Sequence, residues 1–83
     1  MKIQVTQSHI DRGLQGNSYN CPVALACKDA GLAKPSVSNW GLSIDGLRSI
    51  LLPKGVNWRI AHFDKMGKMN PFLFEIEVQE SIN

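Results

Sequence analysis

Cysteine, histidine and tyrosine are scarce in this 83-residue chain, which holds two, two and one of them. Two cysteines are too few for a disulfide scaffold, and no Cys-x-x-Cys or His-x3-His spacing offers a metal site. A glycine-rich phosphate loop is also missing from the sequence. We therefore expect no metal and no cofactor, and a single domain over residues 1–83 that is held together by its apolar core.

Long apolar runs are absent as well. The longest covers only a few residues, so the sequence predicts no membrane span. No apolar segment follows Lys2, and we expect no signal peptide. Free thiols without a signal are typical of proteins in a reducing cytoplasm, so a cytoplasmic location is the expectation.

A strong charge of one sign is lacking too, because the net charge is only +2. That charge is unevenly distributed. Residues 1–68 hold all nine lysines and arginines against four aspartates, which gives +5. Residues 69–83 hold three glutamates and no basic residue, which gives −3. The chain therefore has a basic part and an acidic end, each suited to a partner of the opposite charge.

Alternating polar and apolar residues predict strands near both ends of the chain. The first covers residues 2–6 and the last covers residues 71–78. In the last strand one side carries Phe72, Phe74, Ile76 and Val78. The other side carries Leu73, Glu75, Glu77 and Gln79. A sheet with one apolar and one acidic face is the expected result.

Helix signals precede the middle of the chain. Thr6 is a candidate N-cap for a short helix over residues 7–12. The clearest helix follows Asn20, a favoured N-cap, with Pro22 in its first turn and Gly31 at its C′ position.

A third helix is predicted to begin at Pro53. Its apolar residues at i, i+4 and i+7 are Val56, Ile60 and Phe63. Gly55 inside this helix would cost about 1 kcal/mol against alanine. Trp58 lies off the apolar stripe, so we expect it to be partly exposed.

The segment between the second and third helices allows two interpretations. Residues 33–36 are expected to be loop, and apolar residues then alternate towards Ile44. Asp45-Gly46 is a strong two-residue hairpin signal, with residues 47–51 as the return strand. The same apolar spacing also fits a helix, but we favour the hairpin.

The order of elements, β-α-α-β-β-α-β, predicts an α+β fold. We expect a small antiparallel sheet of three to four strands with two to three helices packed on one face. A split βαβ, or ferredoxin-like, arrangement has the same order. Three strands with loosely packed helices are the alternative.

Cys21 is the residue that could serve as a catalytic nucleophile. A thiolate at a helix N-terminus is stabilised by the free N–H groups and the helix dipole. Papain-like enzymes pair such a thiolate with a histidine, and His9 and His62 are the only candidates here. A chain this short has little room for a second lobe, so we interpret Cys21 as a half-buried packing residue and expect no enzyme. A cysteine-dependent enzyme remains an alternative.

A second function is indicated by the basic residues around Trp58. They are Arg48, Lys54, Arg59, Lys65 and Lys68. Base stacking and phosphate neutralisation need such groups on one face. These residues are interleaved with apolar ones, so direct nucleic-acid binding is the runner-up interpretation.

Three segments resemble short uncharacterised proteins of phages and mobile elements. They are Val5-Thr6-Gln7-Ser8-His9-Ile10, Asn20-Cys21-Pro22-Val23-Ala24-Leu25-Ala26, and Phe63-Asp64 followed by Pro71-Phe72-Leu73-Phe74. Small phage proteins of this size often resemble anti-defence inhibitors, including anti-CRISPR proteins. The resemblance implies a non-enzymatic inhibitor that blocks a nucleic-acid-binding surface of a CRISPR-Cas complex in a bacterial host. It carries over no active residue.

The expected partner is therefore a host protein or ribonucleoprotein complex. The residues predicted to contact it are Glu75, Glu77, Glu80, Asp64 and Trp58. The carboxylates would occupy a basic groove that normally holds nucleic acid.

Overall fold

Three helices and five strands make up the computed structural model, which describes residues 1–38, 41–46 and 48–77. Their order is β1 (Lys2–Val5), α1 (Gln7–Arg12), α2 (Pro22–Asp29), β2 (Pro35–Val37), β3 (Leu42–Ile44), β4 (Arg48–Ile50), α3 (Val56–Met66) and β5 (Phe72–Glu75). The predicted α+β class with antiparallel strands is confirmed. No helix in these ranges has the length and apolar character needed to cross a membrane.

The strands form two antiparallel sheets. β1 pairs with β5, which places Lys2 opposite Glu75 and Val5 opposite Phe72. The other sheet has the order β2-β3-β4. β2 lies partly in the segment that we expected to be loop, and it occupies one edge of β3 while β4 occupies the other. The described strands are thus divided between two sheets and do not form one ferredoxin-like sheet.

Two successive turns shape the three-stranded sheet. Val37 lies opposite Leu42, so the stretch that alternation suggested as one strand folds back on itself. Ile44 lies opposite Arg48, which confirms the predicted hairpin over the helix. The connection is one residue longer than expected, and Asp45-Gly46 has positive φ at both residues, as primed turns require. Trp40 and Leu47 lie outside the described residues.

The N-cap of α2 differs from the prediction by one residue. Cys21 is the N-cap, and its Sγ accepts a hydrogen bond from the Ala24 N–H at 3.5 Å. The Oδ1 of Asn20 accepts instead from Lys28 Nζ at 3.3 Å, and its N–H donates to Asn17 Oδ1 at 3.0 Å. The expected N-cap of α1, Thr6, is confirmed.

The C-terminus of α2 is the one that the sequence predicts. Gly31 has a φ of +100°, and its N–H donates to the Lys28 carbonyl. The N–H of Leu32 donates to the Cys27 carbonyl, which completes a Schellman motif.

α3 begins three residues later than predicted. Gly55 precedes it with a φ of +95°, a conformation that glycine adopts without strain. Gly55 is therefore an entry residue, and the predicted interior penalty does not apply. The predicted apolar stripe of this helix, Val56, Ile60 and Phe63, is buried.

The core receives side chains from all three helices and both sheets. Its fully buried residues include Ile3, Val5, Val23, Cys27 and Leu42. β5 ends at Glu75, earlier than predicted. The predicted alternation of burial nevertheless continues to Glu77, with Phe74 and Ile76 buried and Leu73, Glu75 and Glu77 exposed. Val78 and Gln79 lie outside the described residues.

Candidate functional site

The outer face of α3 carries the most exposed aromatic residue of the described chain. Trp58 is 81% exposed, and His62 and Lys65 follow it at i+4 and i+7, also exposed. Ala61, three residues after Trp58 on the helix, has only a methyl side chain and leaves the indole open to a ligand. This stripe is opposite the buried Val56, Ile60 and Phe63 stripe, so packing of the core does not involve it. The expected exposure of Trp58 is confirmed.

A shallow cavity of about 340 Å³ lies beside the indole. Its lining consists of Trp58, Arg59, His62, Lys68, Met69 and Asn70, and we call it the Trp58 depression. Among the residues that the structure describes, no carboxylate lines it. An exposed ring next to two permanent cations and an imidazole suits an anionic ligand with a flat aromatic group.

Arg59 is held in place by aromatic packing. Its guanidinium carbon lies 4.5 Å from the centre of the Phe72 ring, and Phe72 stacks on Phe74 at 5.7 Å. This cation–π contact joins α3 to β5. Because the charge is already positioned, a ligand would lose less side-chain entropy on binding it.

The predicted acidic residues of β5 lie on another surface. Glu75 is exposed on the face of β5 opposite the buried Phe74, and Glu77, two residues after it, is exposed as well. Lys2 is the cross-strand neighbour of Glu75, which weakens the negative potential there. Glu80 lies outside the described residues.

Asp64 occupies a third surface. Its Oδ1 accepts the Gly16 N–H at 2.9 Å, and its backbone carbonyl accepts from Gln15 Nε2 at 3.1 Å. The carboxylate also lines a cavity of about 230 Å³ that includes Cys21. The four described members of the predicted contact set therefore lie on three surfaces, and their role in binding a partner stays a prediction.

Cys21 is buried rather than half-buried. Burial raises the pKa of its thiol, and the Asp64 carboxylate acts in the same direction, against the lowering effect of the Ala24 and Val23 N–H groups. Within the described part of the chain, no histidine lines its cavity. A protonated, enclosed thiol is a poor nucleophile, so this geometry does not favour the cysteine-enzyme alternative.

The buried His9 connects Thr6 to the exposed Asp29 through a series of polar contacts that we did not predict. Its Nδ1 lies 3.0 Å from the Thr6 backbone nitrogen, which donates to it, and its Nε2 lies 2.6 Å from Asp29 Oδ2. The Nε2–H tautomer follows from this hydrogen-bond network. Arg12 approaches the same carboxylate oxygen at 3.7 Å. The hydrogen bond from His9, assisted by the charge of Arg12, lowers the pKa of Asp29.

The contacts from Thr6 through His9 to Asp29 have the hydroxyl–imidazole–carboxylate order of hydrolase triads, but their geometry is that of a helix cap. The Thr6 Oγ1 accepts the His9 N–H at 3.4 Å, and the imidazole returns a contact to the Thr6 backbone, which is a capping box. The Thr-x-x-His spacing is the sequence signal, since histidine takes the place of the usual glutamate. No sequence pattern near His9 or Asp29 predicts their pairing, because the two residues are 20 positions apart along the chain.

The described residues contain no group of three metal-ligating side chains. No protein-family model matches the chain, and no curated protein or solved structure is significantly similar to it.

Proposed function

We propose that this protein is a non-enzymatic binding module that holds single-stranded nucleic acid on the outer face of α3. The observation that carries the proposal is an indole exposed to 81% beside Arg59, His62 and Lys68 in one depression. A base stacks on Trp58, and the neighbouring phosphates contact the cations. A single strand is favoured over a duplex because stacking requires an accessible base face.

The geometry reverses the order of the two binding interpretations made from the sequence. The acidic residues are divided between surfaces, and one of them faces Lys2. Two of the predicted basic residues, Arg59 and Lys68, line the Trp58 depression together with His62, because the segment after α3 lies beside the helix.

The test is fluorescence anisotropy with labelled 12-nucleotide DNA and RNA at low salt. The native protein should bind at micromolar concentration. Trp58→Ala should weaken binding about 5- to 150-fold, since stacking contributes about 1–3 kcal/mol per base. Trp58→Phe should retain part of the affinity.

Tyr19→Ala is the matched control, because Tyr19 is an exposed aromatic residue that lines a different cavity. It should bind as the native protein does. Absence of binding by the native protein, or equal affinity of Trp58→Ala, would contradict the proposal.

A second candidate follows from the outer face of the β1–β5 sheet. Leu73 is 54% exposed there, on the same side as Glu75 and Glu77. An apolar residue flanked by carboxylates suits a basic groove on a partner protein. This supports the phage-type inhibitor of a CRISPR-Cas complex, working in a bacterial host.

Inhibition of target cleavage by such a complex tests the second candidate. Glu77→Lys should abolish inhibition, whereas Asp11→Lys, the same charge change on α1, should not. Equal inhibition by both variants and the native protein would rule out the acidic face as the contact surface.

A further inference from the structure

A second cavity adjoins the Trp58 depression. It has a volume of about 560 Å³ and lies between α1 and the segment that follows α3. Lys68, Met69 and Asn70 line both cavities, so this segment is the wall that they share. We call the second cavity the α1 groove. A strand whose base stacks on Trp58 would cross this wall to enter it.

The polar groups of the α1 groove differ from those of the Trp58 depression. They are Gln7, Asp11, Gln15, Lys68 and Asn70, above the apolar Ile10 and Phe63. The carboxylate repels a phosphate, and the neutral side-chain amides do not attract it by charge. Both kinds of group can form hydrogen bonds with the edge of a base. Lys68, on the shared wall, is placed to neutralise the phosphate between two successive nucleotides.

Two of these side chains are already oriented by the protein. Gln7 Nε2 donates to Asp11 Oδ1 at 2.9 Å, one helical turn away. Gln15 Nε2 donates to the Asp64 carbonyl at 3.1 Å. Each oxygen of Asp11 can accept a further hydrogen bond, because a carboxylate has about four acceptor sites. Asp11 therefore presents a fixed acceptor to the groove.

We propose that the α1 groove binds a second base of the same strand and that Asp11 selects for guanine there. This inference rests on the proposed function. The Watson–Crick edge of guanine carries two adjacent donors, which pair with the two carboxylate oxygens. Thymine and uracil present carbonyl oxygens on both sides of a single donor, and the carboxylate repels them.

The experiment compares two labelled 12-nucleotide DNAs, one of thymine only and one of alternating thymine and guanine. The native protein should bind the guanine-containing strand about 5-fold more tightly or better, as one bidentate contact allows. Asp11→Asn should reduce this ratio to about one. The ratio is the readout because removing a negative charge strengthens binding of both strands.

Asp45→Asn is the matched control, since it makes the same charge change in the β3–β4 turn and asparagine tolerates the positive φ there. It should preserve the ratio. If Trp58→Ala weakens both strands but the native protein binds them equally, the inference fails and the proposed function stands. A ratio unchanged in Asp11→Asn also overturns it. If neither strand binds, the proposed function itself fails.

Discussion

At the scale of single residues, burial decides what the two thiols can do. Cys21 and Cys27 are both free and buried. Burial raises the pKa of Cys27 from 9.0 to about 12, and Cys21 shifts in the same direction. The stabilisation of the helix N-terminus does not compensate for the loss of solvation at Cys21. Position on a helix alone is therefore not enough to activate a cysteine.

We predict that both cysteines of the native protein resist alkylation at neutral pH. The thiolate fraction of Cys27 should be lower than that of a free thiol by about a thousandfold, given the three pH units between 9.0 and about 12. Mass spectrometry after iodoacetamide treatment should find both residues modified only in denaturant. Fast modification of native Cys21 would instead support the cysteine-enzyme alternative.

A second residue-scale prediction concerns Asp29. Its pKa is lowered from 3.8 in the folded protein, so its ionised form is favoured there. The resulting stability is present above pH 3.8 and is lost as the pH falls through the folded pKa. Asp29→Asn should lower the urea midpoint at pH 7, and the difference should be smaller at pH 2, because the carboxylate becomes protonated as the pH falls.

Asp45→Asn, measured alongside, should show no such convergence. An Asp29→Asn variant that is equally destabilised at both pH values would mean that shape, and not charge, is what Asp29 supplies.

At the scale of elements, the end of α1 packs closely on the beginning of α2. A Cβ placed on Gly13 would lie 2.5 Å from Cδ of Pro22, which is too close for any real contact. Gly13 has a φ of −71°, so the need for glycine here is steric and not conformational. The two helices can approach only because this side chain is missing.

Gly13→Ala should therefore destabilise the protein by about 1–3 kcal/mol, as overpacking does. Pro22→Ala in the same chain removes the two closest clashing atoms, Cδ and Cγ, and leaves the backbone nitrogen at 2.8 Å. The double variant should therefore be somewhat less destabilised than the sum of the two single ones. Denaturant unfolding of all four proteins gives this coupling. If the changes in the free energy of unfolding are strictly additive, the contact between residues 13 and 22 does not limit how closely the helices pack.

At the scale of the whole molecule, charge is divided between faces. Arg59 and Lys68 lie by the indole, whereas Glu75 and Glu77 are exposed on the side opposite the buried Phe74 and Ile76. A net charge of +2 conceals this separation. Local potential, and not net charge, determines which partner each face attracts.

Salt dependence separates the two parts of the proposed binding surface. Lys68→Ala should reduce the slope of log affinity against log salt by about 0.7, because one phosphate contact is lost. Trp58→Ala should lower affinity at every salt concentration without changing the slope. Anisotropy titrations at salt concentrations from roughly 20 to 200 mM, about a tenfold range, measure the slope and the affinity of each variant.

Lys28→Ala, on α2, is the matched control and should leave slope and affinity unchanged. If the slope of log affinity against log salt is the same for Lys68→Ala and the native protein, Lys68 does not contact a phosphate.

Several features of this protein followed from the sequence by itself, because each depends on neighbours within a few residues. The cap at Thr6, the Schellman end at Gly31 and the apolar stripe of α3 are such local features. Alternation likewise predicted the two faces of β5, and the wheel of α3 predicted an exposed Trp58.

Only the tertiary structure decided the rest, because it depends on which distant segments meet. The division into two sheets, the pairing of His9 with Asp29 and the burial of Cys21 all depend on contacts between elements. The Trp58 depression is of the same kind, since Lys68 reaches the indole only where the chain turns back after α3. Periodicity reports the face on which a residue lies, but not which residues from other elements share that face.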